Sequence, residues 1–195
     1  MQKLTINSYP KSGGVLFQYM LQTMYPSVKV LDLSGVLFDF ENMNKLEEGV
    51  VCLIRNPIDS ISWAYFKTKM DNAHFPNVVQ TTTEDNSTKT LSDFITDYVN
   101  FYQDIIDNID NVTVLTFDNI GVSTLTSEAI KEAFDLDAET IVSKKDATDH
   151  LQREYGIGKK PSSEELEVLE NKILEDSRYT ECLNLYNALK AQAIN

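Results

Sequence analysis

Five consecutive apolar residues, Val50-Val51-Cys52-Leu53-Ile54, stand between Gly49 and the polar turn Arg55-Asn56-Pro57. A strand that apolar on both sides must be covered on both sides, which is the habit of parallel sheets with helices packed above and below. The rest of the chain supplies such helices. Leu4-Thr5-Ile6-Asn7 reads as a strand, and residues 15–21 carry apolar positions at helical spacing up to about Tyr25-Pro26. Val28-Lys29-Val30-Leu31 is a second strand. Asn56 and Pro57 suit the N-cap and first turn of a helix running to about Met70. From Leu91 to Ile109, Phe94, Ile95, Tyr98, Val99, Tyr102, Ile105, Ile106 and Ile109 line one helical face, and residues 112–117 then alternate as a strand. Helices are also expected over 126–134, 162–176 and 178–192, the first of the last pair opening on Ser162-Ser163-Glu164-Glu165. Strands alternating with helices predict an α/β protein of three layers, a mostly parallel central sheet flanked by helices.

With 195 residues and no linker or repeat, residues 1–195 are expected to form one domain. The polar, aperiodic stretch 71–90 reads as a long surface loop, either a binding loop or disordered. No apolar run reaches the roughly 20 residues of a membrane helix, and residues 1–4 lead straight into a strand without a signal-peptide core. Cys52 and Cys182 suggest neither a disulfide framework nor a zinc site. The expectation is a soluble cytoplasmic protein, in which the triplets beginning at Asn86 and Asn111 escape glycosylation.

Thirty acidic residues against 17 basic ones leave a net charge of -13. Such a surface repels nucleic acid and anionic membranes, so neither is an expected partner. An anionic ligand would need its cations gathered locally. That makes Lys11, Arg55, Arg153, Lys159 and Lys160 informative.

Lys11 lies in Ser8-Tyr9-Pro10-Lys11-Ser12-Gly13-Gly14, between the first strand and the first helix. Glycines let the backbone curl until successive N–H groups and the helix N-terminus face one anion, and the lysine adds a charge. A Walker A loop is excluded, because there the lysine follows the second glycine. Taken alone, the segment could also be an ordinary glycine turn with a solvated lysine. Arg55 ends a second strand, and both cations therefore belong at carboxyl ends of the sheet, where ligands of α/β proteins bind.

Tyr9-Pro10-Lys11-Ser12-Gly13 resembles the 5′-phosphosulfate loop of the sulfotransferase family, Y-P-K-S-G-T-T-W, with Gly14 and Val15 in place of two threonines. Arg55-Asn56-Pro57-Ile58-Asp59 is similar to the family's 3′-phosphate motif, R-N-P-x-D followed by a serine. The family serine falls where this chain has Trp63, so Ser62 stands one residue out of register, a turn of about 100° on a helix. Ser60 is held in reserve. Residues 112–120 resemble the later strand that ends in a Y-E-D-L-like turn, here Phe117-Asp118-Asn119-Ile120. Residues 153–160, with Arg153, Gly156, Gly158 and Lys159, resemble the R-K-G-x-x-G loop that closes over the nucleotide, or else form a basic turn before Ser162.

The resemblance implies a P-loop NTPase-like sulfotransferase fold. It also implies transfer of a sulfuryl group from 3′-phosphoadenosine 5′-phosphosulfate (PAPS) to a hydroxyl or amine acceptor, leaving 3′-phosphoadenosine 5′-phosphate (PAP). Lys11 would assist the leaving oxygens, with Ser12, Gly13, Gly14 and Val15 holding the 5′-phosphate through backbone N–H groups. Arg55, Ser62, Arg153 and Lys159 would complete the cofactor site. No metal is called for. The family base is a histidine or glutamate between the two motifs. This chain has no histidine there, which leaves Asp39 or Glu41, and more remotely His74 or His150. Two alternatives stand beside this one: a P-loop kinase, with Asp118 the only strand-end acid for magnesium, and an inactive nucleotide-binding homologue, favoured by Gly14 and Val15.

Overall fold

The computed structural model describes residues 3–32, 49–71, 89–121, 125, 141–155 and 162–194. Strands β1 (Lys3–Ser8), β2 (Lys29–Asp32), β3 (Gly49–Ile54) and β4 (Val112–Thr116) form one sheet in the order β2-β1-β3-β4. Every pairing is parallel, with Ile6 opposite Asp32 on one side and Val51 on the other. Helices α1 (Gly14–Met24), α2 (Pro57–Asp71), α3 (Leu91–Asp107), α4 (Lys144–Tyr155), α5 (Ser163–Glu175) and α6 (Tyr179–Gln192) surround it.

Side-chain alternation along the strands builds two cores. Leu4 and Ile6 pack with Val51, Leu53 and Leu115 against Phe17, Met20, Leu21 and Met24 of α1 and Ala147 of α4. Val50, Cys52, Ile54 and Val114 face the other way, onto Ile61, Phe94, Tyr98, Tyr102, Ile173 and Leu185 from α2, α3, α5 and α6. Leu53 and Ile54 are both wholly buried, as the apolar run requires. The three-layer α/β arrangement expected from the sequence is thus present. Among the described residues no helix is long and apolar enough to cross a membrane.

Helix boundaries follow local chemistry. Thr90 and Ser162 each form a capping box, with Asp93 and Glu165 respectively. Those bonds hold both carboxyls below their ordinary range. One element was not foreseen: α4, whose last turn holds Arg153, the first residue of the stretch likened to a nucleotide-closing loop. The helix expected over 126–134 lies outside the described residues.

The strand order decides where a ligand could sit. From β1 the chain passes to β2 on one side, and β3 pairs with β1 on the other. The sheet order therefore reverses between β1 and β3, the kind of point beyond whose strand carboxyl ends open α/β sheets bind ligands.

Candidate functional site

The turn after β1 is built to curl. Ser12 N–H donates to Tyr9 O at 3.1 Å, closing a four-residue turn with Pro10 second and Lys11 third. Lys11 has a φ of 65°, the left-handed conformation that a type II turn demands at its third position and normally gives to glycine. For a residue with a Cβ this costs about 1–2 kcal/mol. Gly13 follows at φ 104° and caps α1 without any side-chain hydrogen bond. Its carbonyl accepts the first helical bond, from Phe17 N–H at 2.9 Å. The first N–H groups of an α-helix have no intrahelical partner, so the opening turn of α1 offers donors to an anion.

Only glycine fits at position 13. A Cβ there would stand 2.5 Å from Phe117 Cδ2, besides the strain of its φ. Phe117, the residue after β4, therefore lies along the edge of the loop. Gly14 is buried at the helix start and Val15 is 43% exposed.

Arg55, leaving β3, reaches across to the same loop. Its Nη1 donates to Lys11 O at 3.2 Å, and its Cζ lies 4.4 Å from the centre of the Phe117 ring. Asp59 forms an ion pair with Arg55 Nε at 3.7 Å, too long for a hydrogen bond, and that buried Nε has no hydrogen-bond partner. The two cations taken from the sequence are therefore brought together, as the sheet order requires.

Beneath the loop lies a layer of buried hydroxyls. Ser12 Oγ is 3.2 Å from Tyr102 Oη and 3.5 Å from Ser60 Oγ. Tyr102 also donates to Leu53 O, Tyr98 donates to Arg55 O, and Ser60 donates to Asn56 O. Burial raises the phenols of Tyr9, Tyr98 and Tyr102 well above their usual pKa, so each stays protonated. Helix α3 thus ties both cation-bearing turns to one support.

Of the two serines, Ser60 is the one beside the loop. Ser62 is wholly buried and donates to Ile58 O at 2.6 Å, within its own helix. Arg153 is exposed and pairs with Glu154 at 3.4 Å. His150 stacks on Tyr19 with ring centres 4.8 Å apart. Asp39, Glu41, His74, Lys159 and Lys160 lie outside the described residues. Among the described residues no group of three or more His, Cys, Asp or Glu could hold a metal. Burial pushes the Cys182 thiol up to about 11 and that of Cys52 higher still, so neither is a ready nucleophile.

Sequence reasoning missed Lys144, and it tied neither Tyr102 nor Phe117 to the loop. Lys144 opens α4, donates to Phe117 O at 2.8 Å and sits 4.3 Å above the same ring that Arg55 covers. Tyr102 could be read only as a core position of its helix, and nothing local links the other two to the loop.

No family model matches the chain, and neither does any curated protein. Among solved structures it is similar to the mouse sulfotransferase SULT7A1 complexed with PAP, at 12% identity over 96% of this chain and 88% of that one. The TM-score is 0.46, and at that value the likeness carries no argument about fold or function.

Proposed function

We propose that the chain is a single-domain protein of sulfotransferase type, with a P-loop NTPase-like core, that binds PAPS between β1 and β3. The observation that carries this is the left-handed Lys11–Gly13 curl, opening an uncapped helix N-terminus with Arg55 laid against it. The residues suit such a donor. Backbone N–H groups of Gly13, Gly14 and Val15 would hold the 5′-phosphate, Ser12 N–H joining them only by giving up its bond to Tyr9 O. A second anionic group would meet Arg55, whose buried Nε lacks a hydrogen-bond partner. Ser62 could join Arg55 only by giving up its bond to Ile58 O.

When bound, the nucleotide supplies an activated sulfuryl group for transfer to an acceptor hydroxyl or amine. Lys11 would neutralise charge growing on the leaving oxygens. Asp39 or Glu41 would take the acceptor's proton, and Arg153 with Lys159 would close over the nucleotide, Arg153 first leaving Glu154. A binding protein without turnover is the second reading, because Gly14 and Val15 bring no hydroxyl to the loop.

Adenosine 3′,5′-bisphosphate should raise the unfolding temperature, and magnesium ATP should not. Lys11→Ala and Arg55→Ala should each weaken bisphosphate binding by about tenfold or more. If both variants bind as tightly as the parent, or if magnesium ATP is the better stabiliser, the proposal is wrong. Sulfate transfer across an acceptor panel separates the enzyme from the binding protein.

A further inference from the structure

Lys144 occupies a place that is electrostatically adverse in three ways. It is the first residue of α4, at the positive end of the helix dipole, where acidic side chains are favoured. It is half-buried, and desolvation draws its pKa below the usual lysine value. A like charge, Arg55, bears on it: the two cations share one ring, at 4.3 and 4.4 Å from the centre of Phe117. Asp118 opposes that desolvation, and Arg55, acting more weakly than Asp118, lowers the lysine's affinity for its proton further.

What holds the ammonium there is modest. It makes one bond to Phe117 O at 2.8 Å, a contact with the ring, and a longer-range attraction to Asp118. An ammonium has three donors, so two remain. A doubly charged phosphate beside Arg55 would turn both the helix dipole and the second cation from penalties into partners. Arg153, the cation of this helix taken from the sequence, stands at the opposite end of α4, about 13 Å away along the axis.

We propose that Lys144 is a specificity-determining residue: with Arg55 it grips a phosphate on the nucleotide's sugar, and so selects bisphosphorylated nucleosides over 5′-monophosphates. Phe117 joins the two ends of that ligand site, because its edge lies against Gly13 while its ring carries both cations. The inference rests on the nucleotide site proposed above and goes beyond it in assigning discrimination to one side chain.

Titration of the intact chain with adenosine 3′,5′-bisphosphate and with adenosine 5′-monophosphate tests it. Lys144→Gln should lose about tenfold in bisphosphate affinity and less than about twofold in monophosphate affinity, while Lys144→Arg keeps most of the preference. In the unmutated protein, the Lys144 Nζ resonance should move with bisphosphate and stay in place with monophosphate, which needs no variant to fold. Equal losses for both nucleotides, an unchanged bisphosphate affinity, or a resonance indifferent to the second phosphate would each overturn the role of Lys144 while leaving the nucleotide site intact. If the parent protein binds neither nucleotide, the site assignment itself fails and this inference falls with it.

Discussion

Two strand-to-helix turns sit side by side at the carboxyl ends of β1 and β3, and they are finished in opposite ways. After β3, Asn56 accepts Ile58 N–H on Oδ1 at 2.9 Å, Pro57 removes one N–H from the account, and Asp59 adds an acid to the first turn. That helix end is satisfied by its own sequence, and it offers a ligand only the Arg55 side chain. After β1, the cap is a left-handed glycine with no side-chain bond, and the residue two places before it is a lysine in a glycine's conformation. On the function proposed above, stability is given up here so that the backbone itself can face an anion. The two neighbouring turns would then divide the work, one supplying dipoles and the other a fixed charge.

The contrast can be broken from either side. The largest effect is expected from Gly13→Ala, which combines a positive φ with a Cβ pressed into Phe117. It should cost about 3 kcal/mol in urea unfolding and abolish nucleotide binding. A loss under about 0.5 kcal/mol would show that the loop relaxes freely and is not held in its curl.

Asn56→Ala should cost about 1 kcal/mol, the usual worth of an N-cap, with bisphosphate affinity within about twofold of the parent. A large loss of affinity without a loss of stability would mean that the second turn also contributes backbone donors.

The smallest effect has the opposite sign. Lys11→Gly relieves the left-handed strain but frees the unfolded chain, for a net gain on the order of 0.5 kcal/mol. Stability should rise while nucleotide affinity falls. If both fall, the lysine side chain is holding the loop together rather than serving a ligand.

Much of the fold was legible because its rules are local. The apolar run at Val50–Ile54 demanded a covered strand, Asn56-Pro57 and Ser162 marked helix starts, and two glycines after a strand implied a tight curl into the next helix. Helix α4 was not legible in the same way. Its residues are mostly charged or polar, and Ala147 and Leu151 alone mark the face it buries. Two apolar positions one turn apart are too few to set a period. The choice of Ser62 over Ser60 rested on spacing alone: the two point to different sides of α2, and only packing against Ser12 shows that Ser60 is the one that meets the loop.

By itself, then, the sequence determined the strands, most helix starts, and the residue types at two strand ends, all of which depend on contacts within a few residues. The tertiary structure decided which of those ends touch. Parallel register brought Lys11 and Arg55 together across β1 and β3, the edge strand β4 delivered Phe117 to Gly13, and α4 laid Lys144 over the same ring. No spacing rule connects residues that far apart in the chain. Their meeting is a property of the sheet order, which is set by how the two cores bury their apolar faces.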